Sequence, residues 1–131
     1  MSKTDPIAEY ITFLRNAGMA KQKVVRIPSS WMRIELSRIL KEEGYIEDFN
    51  ENKDEAFPFL AIKLKYKDRT SVIHEIQRES KPGRRKYVSK DKIYSIADGY
   101  GTLVLSTSKG VMTGFNAQKL GIGGEPLIRV W

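Results

Sequence analysis

Ser106-Thr107-Ser108-Lys109-Gly110-Val111-Met112-Thr113 is the stretch on which the reading of this chain turns. It follows an apolar, strand-like run at 102–105 and comes just before a helix start at Thr113. Three hydroxyls and an ammonium crowd this passage, and Gly110 lets a partner's backbone come close. Hydroxyls donate to and accept from base edges, ribose 2′-OH groups and phosphates. A plain polar turn with a Ser/Thr cap accounts for Gly110 and Thr113 equally well. It does not account for three hydroxyl residues beside Lys109. In a basic chain with no cysteine and one histidine, the loop suits the reading of RNA better than catalysis.

Upstream of it, Thr4 or Asp5 is placed to cap a first helix with Pro6 in its first turn. Ile7, Tyr10, Ile11 and Leu14 then recur on one helical face. Residues 23–27 read as a strand ended by Pro28, and Ser29 or Ser30 caps a second helix. Met32, Leu36, Ile39 and Leu40 line that helix's inner face, with Gly44 past its end. Strands follow at 45–49 and 60–66, around a polar turn at 50–55. The N-terminal part, residues 1–68, is therefore α-β-α-β-β, and the charged turn Lys67-Asp68-Arg69 is the junction.

From Arg69 onward the pattern is mainly β with one short helix. Strands are expected at 72–78, 84–88 and 102–107, with Ser80-Lys81-Pro82-Gly83 as a turn. Residues 91–98 read as a short helix or an irregular connection. Residues 113–120 form a short helix closed by Gly121, and 125–131 a last strand whose Pro126 suggests a sheet edge. The fold class is α+β in two small domains, 1–68 and 69–131.

The chain has 131 residues and a formal net charge of +7. Through Asp68, 12 Lys and Arg stand against 11 Asp and Glu; from Arg69 onward the figures are 11 and 5. Nearly all the excess thus belongs to the second domain, as expected for a polyanion partner, although a solubility charge has the same sign. Arg78, Lys81, Arg84, Arg85, Lys86, Lys90 and Lys92 form a basic strip with Tyr87 inside it. Cations neutralise phosphates and an aromatic stacks on a base or sugar. If the strip is a strand, Arg85 and Tyr87 share one face and Arg84 and Lys86 the other. Gly121-Ile122-Gly123-Gly124-Glu125 reads as a tight return that sets the last strand beside the hydroxyl loop. Glu125 is then placed to hold that loop or to accept from a base amino group; a simple turn is the alternative.

Catalysis has little to stand on. His74 lies in an apolar strand pattern, no nucleophile elbow surrounds a serine, and no cluster has metal-ligand spacing. Absence of cysteine removes disulfides and thiolate chemistry, and fits a cytosol-like compartment. No apolar run reaches membrane-spanning length. No catalytic residue, metal, cofactor or small-molecule substrate is expected. Two rivals stay open at this point: a general DNA-binding or RNA-chaperone module, and a small hydrolase using a serine and His74.

Several short stretches together resemble the bacterial-type small-subunit ribosomal protein eight family. They are 101–113, Thr4-Asp5-Pro6-Ile7-Ala8 with Arg15-Asn16, Pro28-Ser29-Ser30, and Lys41-Glu42-Glu43-Gly44-Tyr45-Ile46. Ile76-Gln77-Arg78 with Ser80-Lys81-Pro82-Gly83, and Gly123-Gly124-Glu125, complete the series in the family's order. The resemblance implies a non-enzymatic constituent of the small ribosomal subunit that binds the central domain of 16S-type rRNA and helps assembly. It implies a cytoplasmic ribosome, an organelle ribosome remaining open, with neighbouring small-subunit proteins as partners. It also implies repression of the protein's own operon messenger, as in many members.

By the same resemblance, Ser106, Thr107 and Ser108 contact bases and sugars, and Lys109 and Gly110 lie against the backbone. Glu125 supports or joins that contact, and Tyr87, Arg85, Lys86 and Lys81 line the same surface. Thr4, Asp5, Arg15, Asn16, Ser29 and Ser30 match positions that touch a second RNA region. The chain departs from the family at Gly114-Phe115-Asn116, where charged residues are usual, and at Arg84-Arg85, where an aliphatic residue is usual.

Overall fold

The computed structural model describes residues 5–53 and 56–131. Thr4 and the Asp54-Glu55 loop tip lie outside them. The chain divides into two units, Pro6–His74 and a second formed by Asp5 with Glu75–Trp131. Helices and antiparallel sheets make an α+β fold with the expected character in each half.

The first unit runs α1 (Pro6–Met19), β1 (Val24–Pro28), α2 (Trp31–Glu42), β2 (Ile46–Asn52) and β3 (Phe59–Leu64). Its sheet has the order β1-β3-β2, so β3 is central and its Leu60, Ile62 and Leu64 are buried. α1 buries Ile7, Tyr10, Ile11, Leu14 and Ala17, the spacing of one helical face. Ser30 caps α2 by accepting from the Arg33 amide, and Gly44, with φ +83°, follows its last turn. A small ribbon, β4 (Tyr66–Lys67) with β5 (Thr70–Ser71), closes through Asp68 and Arg69. Both residues have positive φ, which matches the twist of a two-residue hairpin.

α2 departs from its apolar pattern in an instructive way. Leu36, Ile39 and Leu40 are buried as expected, but so are Arg33 and Ser37, while Met32 is only half-buried. Arg33 is 4% exposed because its guanidinium finds acceptors inside. It donates to the Pro6 carbonyl through Nε (3.2 Å) and Nη2 (3.0 Å), and to the Pro28 carbonyl through Nη1 (2.9 Å). Glu9 supplies a charge partner at 3.2 Å. One side chain thus ties the start of α1 and the end of β1 to α2. Ser37 donates to the Arg33 carbonyl at 2.8 Å, which leaves the Tyr10 hydroxyl as donor in its 2.8 Å bond to Ser37 Oγ. Burial pushes the Tyr10 phenol well above its ordinary pKa, so it stays protonated in that role.

The second unit contains β6 (Ile76–Arg78), β7 (Thr102–Thr107), β8 (Gly110–Thr113), α3 (Gly114–Leu120) and β9 (Glu125–Val130). The strand order is β6-β9-β7-β8, antiparallel throughout. On one face Leu103 and Leu105 of β7 pack with Ile96 and Ala117, and Ile93, Met112, Ile122 and Trp131 flank them. Thr113 caps α3 by accepting from the Asn116 amide at 3.1 Å, and Gly121, with φ +71°, closes it. Tyr94 sits beside Glu79, and its phenol is raised first by burial and then by that carboxylate.

Four expectations are corrected here. β9 is not an edge: it lies between β6 and β7, and Pro126 is tolerated because the β7–β9 register shifts between Val104 and Leu105. Residues 110–113 are a strand rather than a loop, since the chain turns back at once and pairs Gly110 with Thr107. Only Ile76–Arg78 of the 72–78 segment is a strand, and His74 is exposed. The 84–88 segment is not a strand but a strap held by two isolated bridges, Lys81 with Arg84 and Val88 with Gly124. The uncertain 91–98 stretch contains two short 3-10 turns, Lys90–Lys92 and Ala97–Gly99.

The Arg33 arrangement makes a definite prediction. Arg33→Met keeps the volume but removes the buried guanidinium that donates to the Pro6 and Pro28 carbonyls. It is expected to lower unfolding stability by about 2–4 kcal/mol in urea titration, because several hydrogen bonds from one charged donor are lost together. A change within about 0.5 kcal/mol would show that the guanidinium does not hold this unit together.

Candidate nucleic-acid interface

Three segments of the second unit converge on an open groove of about 550 Å³: 87–90 of the strap, 106–108 of β7 and its turn, and 121–125 leading into β9. The glycines make the convergence possible. A Cβ on Gly123 would stand 2.2 Å from the Val88 carbonyl oxygen, and one on Gly124 would stand 2.4 Å from that of Ser106. With both side chains absent, Val88 and Gly124 exchange two backbone hydrogen bonds of 2.8 and 2.9 Å. The basic strap is thereby laid alongside the hydroxyl strand.

The hydroxyl run does not act as one unit. Ser106 stands near the end of β7, half-buried, opposite Val111 on one side and Glu125 on the other. Its hydroxyl, like that of exposed Ser108, has no partner among the described residues. Thr107 is engaged in the turn: its hydroxyl donates to the Gly110 carbonyl at 2.7 Å and accepts from the Lys109 amide at 3.1 Å. Ser108 and Lys109 are the exposed tip, and Gly110 completes the turn with φ +113°, a conformation that side chains resist. The segment 106–110 therefore presents two open hydroxyls and an ammonium on a turn stiffened by Thr107.

Across the groove, the Tyr87 ring is 75% exposed, a flat surface free for stacking. Lys81, Arg84, Arg85 and Lys86 are exposed along the strap. Glu125 does not hold the hydroxyl turn. Its Oε2 accepts from the Ser80 hydroxyl at 2.8 Å and stands 3.5 Å from Arg85 Nε. Ser80 is wholly buried and also accepts from the Lys86 amide at 3.2 Å. Arg78 faces away from the strip. It pairs with Asp5 at 3.1 Å and donates to the Leu127 carbonyl at 2.9 Å, with little side-chain exposure.

The remaining expected residues are not brought to this groove. Asp5 is engaged with Arg78. Arg15 and Asn16 are exposed on α1, and Ser29 and Ser30 follow β1; all four belong to the first unit. Ser29 donates to Glu51 and Ser30 caps α2, so both hydroxyls already serve the fold. Thr4 lies outside the described residues. Sequence reasoning missed Ser80, read only as part of a turn, and the groove-lining Ser89; Lys90 belongs to the basic strip and Ile122 to the glycine-rich return, and both line the groove. The Gly123-Gly124 doublet was the available signal that two backbones meet there. Among the described residues, no group of three or more His, Cys, Asp and Glu is arranged to hold a metal.

Comparison with known proteins accords with this geometry. Residues 5–131 match the family model described as ribosomal protein S8. The chain is 48% identical over 132 residues to a small ribosomal subunit protein uS8 of Geotalea uraniireducens, covering 100% of both chains. The uS8 proteins of Geobacter sulfurreducens (48%) and Clostridium novyi (43%) are similar over their full lengths as well.

The groove's dependence on glycine is testable. Gly123→Ala places a methyl where the Val88 carbonyl stands, so the strap must move. We expect the Val88 and Gly124 amides to lose hydrogen-exchange protection and stability to fall by about 2–4 kcal/mol, the scale of overpacking against backbone. Unchanged protection at both amides would mean that the strap is held by other contacts.

Proposed function

This chain belongs to the ribosomal protein S8 family, and we propose that its second unit grips an irregular helix in the central domain of 16S-type rRNA. A structural role in the small ribosomal subunit follows from the family. The finer reading rests on one observation above the rest: open hydroxyls of Ser106 and Ser108, the exposed Tyr87 ring and Lys90 line one groove, and the exposed cations 81 and 84–86 lie on the strap that leads to it. That combination suits RNA. The major groove of A-form RNA is too deep and narrow for side chains, so specific proteins seek bulges and unpaired bases, which stack on aromatics and offer their edges. Hydroxyls also engage the ribose 2′-OH, which DNA lacks. Lys81, Arg84, Lys86, Lys90 and Lys109 supply attraction to phosphate, and Tyr87 a stacking surface.

A groove of this kind binds any RNA that presents the same irregular shape. It is therefore suited to a messenger site that mimics the ribosomal one, the basis on which the protein would repress its own operon. In the first unit, the exposed Arg15 and Asn16 are the candidates for a second RNA region. Neighbouring small-subunit proteins are the further partners, and the bacterial cytoplasm the setting.

Binding to an irregular central-domain rRNA helix, to a fully paired RNA and to the equivalent DNA across a salt series tests this reading. We expect preference for the irregular RNA to persist as salt rises. Ser106→Ala should reduce specific binding by about 1–3 kcal/mol, the cost of a donor or acceptor left unmade in a closed site. Lys86→Ala should weaken every RNA alike and lower the salt slope by about 1, because a phosphate contact carries no sequence information. Equal binding of all three nucleic acids, collapsing together with salt, would reduce the protein to a general polyanion binder.

A further inference from the structure

We propose that Ser80 and Glu125 are a positioning pair, which holds the basic strap 81–87 in register with the hydroxyl strand, and that Glu125 acts through Ser80 and Arg85 rather than on RNA. The inference rests on the RNA reading above and deepens it. Ser80 is wholly buried, whereas each residue from 81 to 87 is exposed. Its hydroxyl is engaged in both directions, donating to Glu125 Oε2 at 2.8 Å and accepting from the Lys86 amide at 3.2 Å. The second bond closes a loop over the Lys81–Arg84 turn, whose own backbone bonds are 2.9 and 3.4 Å long. Beyond Lys86, the next tie is the Val88–Gly124 bridge. The strap therefore hangs between two fixed points, and Ser80 is one of them.

Glu125 carries the position of the hydroxyl strand to that point. Its backbone pairs with Ser106 in the β7–β9 ladder, while its carboxylate reaches Ser80. Arg85 Nε, 3.5 Å away, shares the same oxygen. An unengaged carboxylate beside an RNA groove would repel phosphate, since unlike the cations around it Glu125 has the ligand's sign. With a hydroxyl donor and a guanidinium on it, the carboxylate serves as an anchor, and cations 81, 84 and 86 face outward from it. One acid in a strongly basic neighbourhood is thus explained by what it holds.

The test measures binding of the full chain to the irregular rRNA helix for Ser80→Ala, Ser80→Cys, Glu125→Ala and the Ser80→Ala/Glu125→Ala double variant. Hydrogen exchange at the Lys86 amide is followed in each. Each single variant should bind roughly 10-fold more weakly with a shallower salt slope, because the phosphate-facing cations lose their placement. The Lys86 amide should lose protection in each. The double variant should be within about 2-fold of the weaker single variant, since residues acting as one unit are not additive. Losses that multiply to about 100-fold would overturn the proposal and give Glu125 its own contact with RNA. Parental affinity in both Ser80 variants, or binding by Glu125→Ala as tight as or tighter than the parent's, would overturn it too. Should the parent chain show no preference for irregular RNA, the RNA reading itself fails. The Lys86 amide then still decides whether Ser80 and Glu125 hold the strap.

Discussion

Two backbone hydrogen bonds between Val88 and Gly124 are the constraint on which the groove depends. They require two chains to approach more closely than any side chain allows, and the sequence meets that requirement with adjacent glycines at 123 and 124. The consequence reaches in both directions. The strap does not join the sheet as a regular strand: β6 pairs with Ile128–Val130 of β9, and the strap meets the chain ahead of β9, at Gly124. It crosses instead at one bridge and leaves its cations and Tyr87 exposed. At the groove floor Ser106 is paired on both sides, with Val111 of β8 and Glu125 of β9. A binding surface built this way is exposed at its charged rim and strand-paired at its hydroxyl base.

That division matches what each residue type contributes to nucleic-acid recognition. Cations act over distance and carry no sequence information, so exposed side chains on a strap tied at both ends suffice for them. Hydrogen-bond readout needs atoms held to a fraction of an ångström, which a β-ladder and a stiffened turn provide. Thr107 shows the distinction within three consecutive residues. Its hydroxyl is bonded to Gly110 and Lys109, and this fixes the backbone from which Ser106 and Ser108 present theirs. The middle hydroxyl of the run shapes the turn, and the outer two face what comes to it.

The fold was legible where one physical rule dominated. Helical periodicity located α1 and the apolar side of α2, and the strand at 102–107 and the glycine-closed helix after it stand where expected. Legibility failed where a distant partner decided the outcome. Arg33 has no place in the apolar pattern of α2, and its burial depends on the Pro6 carbonyl, 27 positions away, as well as on nearby Pro28. Ser80 looked like turn composition, and its burial depends on Glu125, 45 positions away. Pro126 suggested an edge because the bulge that accommodates it, which leaves Leu127 without an opposite residue on β7, is set by the pairing and not by the local sequence. The candidate site was readable as residue types but not as roles. Nothing local distinguishes the engaged hydroxyl of Thr107 from those of Ser106 and Ser108, or the strap's open cations from Arg78, which is occupied with Asp5.

The departure at Gly114-Phe115-Asn116 acquires a physical account from packing. A Cβ at Gly114 would stand 3.0 Å from Ile93 Cγ2 and 3.6 Å from Leu103 Cβ, tighter than an ordinary contact on the first side. The residue is buried, so a charged side chain there would have to displace Ile93 from its place over Leu103. Glycine weakens a helix by up to about 1 kcal/mol relative to alanine. The Thr113 cap to Asn116 offsets this at the same end of α3. Phe115 is then directed outward, 70% exposed, with Lys119 Nζ 5.3 Å from its ring. Lys119 places a cation one helical turn onward, beside the Phe115 ring. The start of α3 is thus close-packed rather than charged, and none of Gly114, Phe115 and Asn116 lines the groove formed by the strap, β7 and the 121–125 return.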